Sequence, residues 1–506
     1  MRDKGYTLPL IISYALGAWF IYYFLIERTP QGEFVRFLLT DDAMISMNYA
    51  RSVAEGCGWV WYCGAEKVEG FTNFLWVLYM SLWHKLAIPP NFTSLPIILT
   101  GFLTLWLQLH AIYTLGKKIF SPEVGYLAAL IAATFLPLVL WHFIGLETGL
   151  LMGLTAYLTL RAVQARMPHF TDMLAAIVGV LARMDFLLIV GTIGGFWSYA
   201  QRSYVPLLRL GLPSIAALTG LMTWRLHYYG RWLPNTYYLK VDSVPLSLRL
   251  LNGVLTAAGS ILTNLPLWLL AGWSLWRKKV PSSLTILFGG VPGIMLAYLI
   301  YAGGDDWEIA PLTNRFLGLA YPLLVIAAAA TIAAFSRLWQ GLALIAIALG
   351  VGNRWSIFTT LSPYACPLGQ KTVSNIFSVF VPYPLDSLGL PPGSHIWLGP
   401  AGTTPYFYRG YVYRDYLGKC DSGVARSSPA CYITMRFYQW YAPGHTRLGI
   451  DKVLRDSLAK AVFISFKGHP GRRRGFCEAE PYLSLLPQYF VYRAPYGWLR
   501  RQLSNE

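Results

Sequence analysis

Apolar stretches long enough to cross a lipid bilayer follow one another along residues 1–358 of the chain. A membrane-spanning helix needs about 20 predominantly apolar residues. Hydrophobic residues make up 55% of the 506 residues and charged residues only 13%, whereas a soluble domain carries about 25% charged residues. A single soluble core also stops growing near about 250–300 residues. We therefore predict a polytopic α-helical membrane protein.

The alternation of apolar stretches with charged loops predicts about eleven membrane-spanning helices. Basic residues flank the ends that we place inside, which puts the amino terminus inside and the carboxyl terminus outside. The strongest inside mark is the run Arg277-Lys278-Lys279. Residues 71–86 are apolar but short, so we predict an amphipathic helix on the outer surface there. The predicted spans are residues 7–26, 95–115, 124–141, 149–160, 173–181, 186–200, 206–224, 248–276, 284–301, 316–335 and 342–358.

The composition changes near residue 359, beyond which no stretch is long enough to span a membrane. Pro, Gly, Tyr and charged residues intersperse there, with β-like runs such as 461–465. We predict a transmembrane domain over residues 1–358, with a first outer loop at about 27–94. Residues 359–506 are predicted to form a soluble mixed α/β domain on the outer side.

The cysteines all fall in segments that we place outside. Disulfides persist in oxidising compartments such as a periplasm or a lumen. The two that share the first outer loop are predicted to pair, and the other four to bond within the C-terminal domain in a connectivity that the sequence leaves open. A zinc site is less favoured, because no CxxC or Cys/His cluster occurs. The six residues are Cys57, Cys63, Cys366, Cys420, Cys431 and Cys477.

Most of the unusual polar residues lie at the outer ends of spans or in outer loops. Ionisable groups near a bilayer are costly and tend to face a cavity together with a partner. Scattered charges would occupy both sides, so this asymmetry predicts one outward-facing polar site built from several loops. Its members are Asp41, Asp42, Glu69, Glu147, Arg183, Asp185, Lys240, Asp305, Asp306, Glu308 and Arg315.

Asp41 and Asp42 precede a helical-looking segment at residues 43–54, and Thr40 is placed to cap that helix. One interpretation is that both are simply helix-start acids, which the helix dipole stabilises. The other is that one of them is a base that takes a proton from a hydroxyl. Adjacent like charges raise one pKa toward a useful range, which favours the second interpretation.

Three cations at outer helix ends admit two interpretations. Arg183, Lys240 and Arg315 either extend toward the membrane interface or neutralise a phosphate. Glu147 either pairs with an arginine for structure or contacts a substrate, and Asn235 either forms a loop turn or contacts a sugar. The net charge of +17 combines basic inside loops with attraction to anionic lipid heads or phosphates.

Several catalytic motifs are absent from the sequence. It contains no Walker P-loop, no HExxH and no nucleophile elbow, and no predicted inside domain is available to bind a nucleotide. An enzyme that works on the outer side must then use a substrate that carries its own activation, such as a lipid-phosphate.

The first outer loop resembles that of the GT-C arabinofuranosyltransferases of the AftB type. The resemblance rests on Asp41-Asp42-Ala43-Met44-Ile45-Ser46 and on Val68-Glu69-Gly70-Phe71-Thr72-Asn73. Later motifs of that family match in order: Gly145-Leu146-Glu147-Thr148, Arg183-Met184-Asp185, Leu233-Pro234-Asn235-Thr236-Tyr237-Tyr238-Leu239-Lys240 and Gly303-Gly304-Asp305 with Arg315.

The resemblance implies a glycosyltransferase of the bacterial inner membrane that uses a polyprenyl-phosphate sugar, in that family decaprenyl-phosphate arabinofuranose, on the periplasmic side. It implies a GT-C-like fold with a periplasmic C-terminal domain that binds the acceptor carbohydrate, and an essential aspartate at Asp41 or Asp42. We predict that the donor and its phosphate are bound by Arg51, Arg183, Lys240 and Arg315. The predicted substrate-binding residues are Glu69, Asn73, Glu147, Asp185, Asn235, Tyr238, Asp305 and Asp306.

The expected partners are a polyprenyl-phosphate donor, membrane lipid, and a glycan or pilin-like protein acceptor, with no nucleic acid. A divalent cation is compatible with these acids but not required by them. A transporter or flippase of lipid-linked sugars is the alternative, and a non-catalytic scaffold is a third hypothesis. Transporters often contain internal repeats and polar residues near mid-membrane. The absence of a repeat and the clustering of charge at one side favour the enzyme.

Overall fold

The computed structural model of the chain is mostly α-helical through residue 350 and carries a β-sheet beyond it. Five residues with predicted roles, Asp306, Glu308, Cys366, Cys431 and Cys477, lie outside the described residues, and those roles stay predictions. The structure describes residues 5–29, 31–242, 244–305, 314–350, 382, 385–398, 401–415, 417–427, 443–444, 462–466, 491–494 and 500–502.

Helices occupy most of the part that the sequence places in or beside the membrane. The first helix continues as one π-helical turn over Ile21–Leu25. The bounds are α1 Thr7–Phe20, α2 Asp41–Ala54, α3 Phe74–Lys85, α4 Ser94–Ile119, α5 Pro122–Thr134, α6 Leu136–Leu140, α7 Thr148–Gln164, α8 Phe170–Ala182, α9 Phe186–Gln201, α10 Val205–Tyr229, α11 Asn235–Val241, α12 Leu246–Thr263, α13 Leu265–Trp276, α14 Thr285–Ala302, α15 Arg315–Gly318, α16 Tyr321–Ile332 and α17 Arg337–Leu349.

Five helical segments in the described residues are long and apolar enough to cross a bilayer. They are Thr7–Leu25, Ser94–Ile119, Val205–Tyr229, Leu246–Thr263 and Ser282–Ala302. Shorter apolar helices of 10–17 residues, including α8, α9 and α16, lie between and after them. The predicted polytopic α-helical membrane fold is confirmed, and the number of eleven spans stays a prediction.

Prolines divide three segments that the sequence predicts as single spans. One is the predicted span 316–335, which is broken at residues 319–320, and Pro322 lies in the first turn of α16. The predicted span 124–141 is broken at Phe135, and Pro137 lies in the first turn of α6. The predicted span 248–276 is broken in the same way, with Pro266 in the first turn of α13. Proline lacks a backbone N–H and disfavours the helical conformation in the residue before it. Each of these segments is therefore a pair of helices and not the continuous helix that hydropathy predicts.

Close backbone approach holds α4 against α5. A Cβ on Gly125 would lie 2.6 Å from the backbone oxygen of Tyr113, and one on Gly116 would lie 3.0 Å from the Cα of Gly125. Small residues permit such approach between membrane helices, where van der Waals packing drives association. The two glycines thus permit the close packing of α4 against α5.

The first outer loop folds into a hairpin followed by two helices. Strands β1 (Ile26–Arg28) and β2 (Phe34–Phe37) pair antiparallel, and α2 then begins at Asp41, which confirms the helix predicted at 43–54. Helix α3 follows at Phe74–Lys85 and packs against α2. At 12 residues it is too short to cross a bilayer, and its location on the outer surface stays a prediction.

The described C-terminal residues form a five-stranded sheet with short helices. The strands are β3 His395–Leu398, β4 Val412–Asp415, β5 Val462–Phe466, β6 Val491–Ala494 and β7 Arg500–Gln502, in the order β4-β3-β5-β6-β7. All neighbours pair parallel except β6 and β7. Helices α18 (Thr403–Phe407) and α19 (Ser422–Ala425) follow β3 and β4. The predicted domain boundary at 358/359 lies outside the described residues and stays a prediction.

Candidate functional site

Helix α2 starts with the two adjacent aspartates in its first turn. Thr40 caps the helix, because its hydroxyl oxygen accepts a hydrogen bond from the backbone N–H of Ala43 at 3.4 Å. The same hydroxyl donates to the carbonyl oxygen of Ile144 at 2.9 Å, which anchors the cap to the segment between α6 and α7. The predicted cap is confirmed. The positive end of the helix dipole therefore faces Asp41 and Asp42.

Asp41 is buried against the C-terminal segment. Its Oδ1 accepts hydrogen bonds from the backbone N–H groups of Gly402 (2.9 Å) and Thr403 (3.0 Å). Burial raises the pKa of Asp41 to about 7, although those N–H groups and the charge of Lys419 lower it. A carboxyl group in this range exchanges a proton readily at neutral pH, which is the property of a general base.

Asp42 pairs with a lysine that the sequence interpretation missed. Its Oδ1 accepts a hydrogen bond from the ammonium of Lys419, and the two side chains are largely buried. Lys419 lies 377 residues away in the chain, just after β4. No local pattern in the sequence distinguishes this lysine from the other charged residues of the C-terminal segment. Lys419 thus adds a cation beside the aspartate pair.

Asp305 lies between two cations that the sequence predicted for the site. Its Oδ1 accepts hydrogen bonds from the ammonium of Lys240 at 3.2 Å and from the guanidinium of Arg315 at 3.0 Å. The Nε of Arg315 forms an ion pair with the other carboxylate oxygen at 2.8 Å. Burial alone would raise the pKa of Asp305, but the charges of Arg315 and Lys240 outweigh it and leave the pKa below its usual value. Two cations facing one buried carboxylate leave this group with a net positive charge.

Arg183 belongs to a second buried group. Its guanidinium pairs with Asp185 and lies 3.7 Å from the carboxylate of Glu147. Glu147 also accepts from the side-chain amide of Asn73 at 2.8 Å. The amide oxygen of Asn73 accepts from the hydroxyl of Ser46 on α2 at 3.0 Å. One ion pair and two hydrogen bonds therefore link the end of α8 to the helix that carries the aspartates.

These groups act on one another electrostatically. Besides Arg315 and Lys240, two further charges act on Asp305. The charge of Asp42 raises the pKa of Asp305, and the charge of Arg183 lowers it. The pKa of Arg315 is raised because Asp305 and other acids outweigh its burial, and Asp42 is among those acids. The residues that converge are Asp41, Asp42, Asn73, Glu147, Arg183, Asp185, Lys240, Asp305, Arg315 and Lys419. We call this set the polar cluster.

Glu69 is predicted for the same site but lies in a separate buried pair. Its carboxylate accepts from the guanidinium of Arg225 at 2.9 Å, and both side chains are almost fully buried. Burial raises the pKa of Glu69 to about 7 in spite of the adjacent Arg225. The sequence interpretation placed Arg225 at the start of an outer loop and gave it no role. Its position at the end of an apolar helix, where a charge requires a partner, was the available indication.

Asn235 and Tyr238 contact the C-terminal segment. The amide of Asn235 donates to the carbonyl oxygens of Gly418 and Lys419 at 2.8 and 3.0 Å. The ring of Tyr238 lies 5.5 Å from the guanidinium of Arg426. Asn235 therefore positions the backbone at Lys419, whose side chain contacts Asp42. These hydrogen bonds use the amide N–H groups of Asn235, a residue that was predicted to bind sugar.

Arg51 lies apart from the polar cluster, on the last turns of α2. It forms an ion pair with Glu55 at 2.8 Å and donates to the carbonyl oxygen of Tyr406 at 3.1 Å. These contacts point away from Asp42, because nine helical residues separate the two positions by about 14 Å. Arg51 is therefore not part of the polar cluster, and its predicted contact with the donor phosphate stays a prediction.

Cysteine chemistry differs in part from the prediction. The predicted disulfide between Cys57 and Cys63 is present. Cys420 is a buried free thiol, which contradicts its predicted disulfide. Its sulfur is enclosed in the first-loop interface, where a Cβ on Gly70 would lie 2.7 Å from it. Burial raises the pKa of Cys420 well above the usual value, so the thiol is held in its unreactive form.

One group of metal-ligand atoms lies close together in the described part of the chain. It consists of Glu55, Cys57 and Cys63, whose ligand atoms are within 4.8 Å of one another. Zinc binds cysteine as the thiolate, and both sulfurs here are joined in the disulfide. These residues therefore do not fit a zinc site.

Comparison with known proteins returns distant structural matches. No protein-family model matches the chain, and no curated protein matches it. ArnT from Cupriavidus metallidurans bound to undecaprenyl phosphate is similar over 75% of this chain and 68% of that chain, at 12% identity and a TM-score of 0.48. The same protein in the apo state gives the same coverage at 14% identity and a TM-score of 0.43.

An oligosaccharyltransferase from Archaeoglobus fulgidus, in complex with Zn and sulfate, is also similar in structure. The match covers 81% of this chain and 62% of that chain, at 13% identity and a TM-score of 0.43. At these identities the similarity assigns no role to any residue of this chain.

Proposed function

We propose that this chain is a membrane glycosyltransferase of the GT-C type. It transfers a sugar, by the first-loop resemblance D-arabinofuranose, from a polyprenyl-phosphate donor to an acceptor hydroxyl. The acceptor belongs to a cell-envelope glycan or a secreted pilin-like protein on the periplasmic side of the inner membrane. The observation that carries the proposal is the polar cluster, which contains an aspartate with a pKa of about 7 and four cations that pair with its other carboxylates.

Asp41 is the proposed general base. Its pKa of about 7 balances the fraction of base against its proton affinity at neutral pH. It takes the proton of the acceptor hydroxyl as the hydroxyl oxygen attacks the anomeric carbon. As the new bond forms, the bond between the anomeric carbon and the phosphate oxygen breaks. Asp42 orients the ammonium of Lys419.

The cations of the polar cluster are proposed to receive the leaving phosphate. Arg315 and Arg183 offer planar guanidinium groups for bidentate contacts, and Lys240 and Lys419 offer point charges. Cations that are fixed before the reaction stabilise the developing negative charge, and one such contact contributes about 3–4 kcal/mol. The polyprenyl tail is proposed to lie beside the apolar helices, and the C-terminal domain to hold the acceptor.

The direct test is release of polyprenyl phosphate from a labelled polyprenyl-phosphate arabinofuranose by purified protein. We expect release with wild type, none with Asp41→Asn, and release at the wild-type rate with the control Asp386→Asn, which changes an exposed aspartate. Hexose-carrying donors test the sugar. Movement of intact donor across vesicles without release would support the transporter and contradict the enzyme.

Orientation requires a separate measurement. Impermeant thiol reagents applied to the periplasmic side of sealed spheroplasts after reduction should label Cys57 and Cys63, neither of which is buried. A cysteine introduced at Lys278, in the predicted inside loop, is the control and should stay unlabelled. Labelling of that control from outside would contradict the proposed orientation.

A further inference from the structure

A cavity lies between the carboxyl end of α2 and the C-terminal segment. Its volume is about 560 Å³, within the range of small-molecule sites. It is bordered on one side by the disulfide loop at Cys63 and on the other by residues 405 and 409–413. The side chains that the following paragraphs use are Arg51, Glu55, Tyr62, Arg409, Tyr411 and Tyr413. We call this space the arginine cavity.

The arginine cavity carries an excess of positive charge. Two guanidinium groups share one carboxylate, since Glu55 lies 2.8 Å from Arg51 and 3.5 Å from Arg409. Burial lowers the pKa of Arg409, and the like charge of Arg51 lowers it further. Among the described residues, the Nε of Arg409 is buried without a hydrogen-bond partner. A buried unsatisfied guanidinium donor is costly, and an anion in the cavity would satisfy it.

Aromatic side chains supply the rest of the wall. The hydroxyl of Tyr62 donates to the carbonyl oxygen of Tyr413 at 3.1 Å, and the two rings meet edge to face with centroids 5.9 Å apart. Tyr411 adds a third ring, 6.3 Å from that of Tyr413. Fixed aromatic rings beside charged donors match a ligand with apolar ring faces and a negative charge, which is the chemistry of an acidic sugar.

We propose that the arginine cavity binds an acidic sugar unit of the acceptor, recognised through a carboxylate or a phosphate group. The inference rests on the proposed function, because it identifies the bound glycan as the acceptor. Arg51 lies on the same helix as Asp42, about 14 Å further along. An extended acceptor therefore places one unit in the cavity while a hydroxyl of another unit reaches the polar cluster. Binding energy from a remote unit then orients the reacting one.

The test measures binding of oligogalacturonate to the full-length protein in detergent. The neutral methyl ester of the same oligomer is the matched ligand control. We expect the acid form to bind at least tenfold more tightly than the ester. Arg409→Gln should remove that preference, and Arg409→Lys should retain part of it because the charge remains. Mannose 6-phosphate compared with mannose is the phosphate arm, and a preference in only one arm identifies the anionic group.

Stability and donor chemistry separate the alternatives. If Arg409→Gln lowers the thermal midpoint, Tyr411→Ala replaces it as the variant, and it should weaken binding of the acid form about tenfold. Equal binding of acid and ester by the wild type, in both arms, overturns the inference, as does unchanged binding in both variants. Release of polyprenyl phosphate to water without acceptor reports on the polar cluster alone. Release of polyprenyl phosphate without acid-selective binding therefore overturns only the inference that the arginine cavity binds an acidic sugar. Absence of release overturns the proposed glycosyltransferase function.

Discussion

Asp41 and Asp42 are adjacent in the chain but have different surroundings. Asp41 faces two backbone N–H groups in a buried position, whereas Asp42 faces the ammonium of Lys419. At Asp41 burial outweighs the two backbone N–H groups and the charge of Lys419, so its pKa is raised. Two neighbouring acids thereby acquire separate properties, and the proposal assigns them separate roles.

The pH dependence of activity tests the role of Asp41. A base is active when deprotonated, so with a pKa of about 7 we expect kcat/KM to rise about tenfold per pH unit below that value and to level off above it. Asp41→Asn should remove the activity at every pH. The measurement is donor turnover between pH 5 and 9. A profile that is flat across pH 7 in the wild type would contradict the assignment.

Asp41→Asn, which should abolish activity, is expected to increase stability at high pH. The pKa of Asp41 is higher in the folded chain than its ordinary 3.8, so the folded state binds the extra proton and the stability falls as pH rises through about 7. Asparagine keeps an oxygen acceptor for Gly402 and Thr403 without the charge. We therefore expect Asp41→Asn to equal wild type in thermal midpoint at pH 4 and to exceed it at pH 8. A lower midpoint at pH 8 would indicate that the substitution damages the fold.

Lys419 tests the contribution of a residue that sequence reasoning missed. A charge-assisted contact contributes about 1.5–3 kcal/mol, so Lys419→Gln should lower kcat/KM by about tenfold to a hundredfold. Lys419→Arg keeps the charge and should recover most of that loss. Lys67→Gln, at a lysine whose ammonium lies 5.0 Å from the ring of Tyr228, is the control and should change activity little. Equal activity of Lys419→Gln and wild type would remove Lys419 from the mechanism.

Residue chemistry was predictable where the charge stood out against an apolar background. Asp305, Arg183 and Arg315 were identified in this way, and the polar cluster contains all three. Lys419 lies in a segment with many charges and has no local pattern to distinguish it. Its role depends on a contact with Asp42 across 377 positions, and spacing in one sequence does not encode such a contact.

At the scale of elements, buried charges join helices and loops whose order alone leaves their arrangement open. Glu69 ties the first outer loop to Arg225 at the end of α10. The backbone N–H of Asn235 donates to the carbonyl oxygen of Glu69 at 3.0 Å, which adds the start of α11 to the same junction. The sequence predicted each element but not the contacts between them. Hydropathy indicates that a segment is buried, but it does not indicate which other segment packs against it.

The junction predicts a non-additive pair of substitutions. Removing one partner of a buried ion pair costs about 3–5 kcal/mol, because the other charge stays buried alone. Glu69→Gln and Arg225→Met should each lower the free energy of unfolding by about that amount, and the double variant should cost less than the sum of the two. Denaturant titration in detergent measures all four proteins.

An exposed ion pair provides the matched control for the double-mutant cycle at Glu69 and Arg225. Arg337 and Glu123 lie 3.1 Å apart with both side chains largely accessible to solvent. Exposed pairs contribute about 0–1 kcal/mol, so Glu123→Gln should change stability little. If the buried cycle is additive, Glu69 and Arg225 do not depend on each other and the junction has another origin.

At the scale of the whole molecule, the polar cluster is completed by two parts of the chain that are far apart in sequence. The first outer loop supplies the aspartates, and residues 402–403 and 419 supply the groups that contact them. Trp61 adds a further contact by donating from its indole N–H to the carbonyl oxygen of Ala401 at 2.9 Å. The sequence predicted an outer soluble domain but not that its backbone touches the proposed base, because β-strand pairing and docking depend on long-range contacts.

The dependence of the site on this contact is testable at Gly402. A Cβ at this position would lie 1.9 Å from the backbone oxygen of Asp41, so Gly402→Ala forces the C-terminal segment away from α2. Because the shift exposes Asp41 to water, its pKa should fall toward 3.8, and the acidic limb of the kcat/KM profile should move to lower pH. We also expect a loss of at least tenfold in turnover at pH 7, since small misplacements of catalytic groups are costly. Gly341→Ala, where a Cβ meets nothing within 4 Å, should leave both quantities unchanged. If Gly402→Ala keeps the wild-type rate and pH profile, the C-terminal segment does not set the properties of Asp41, and the first outer loop alone determines them.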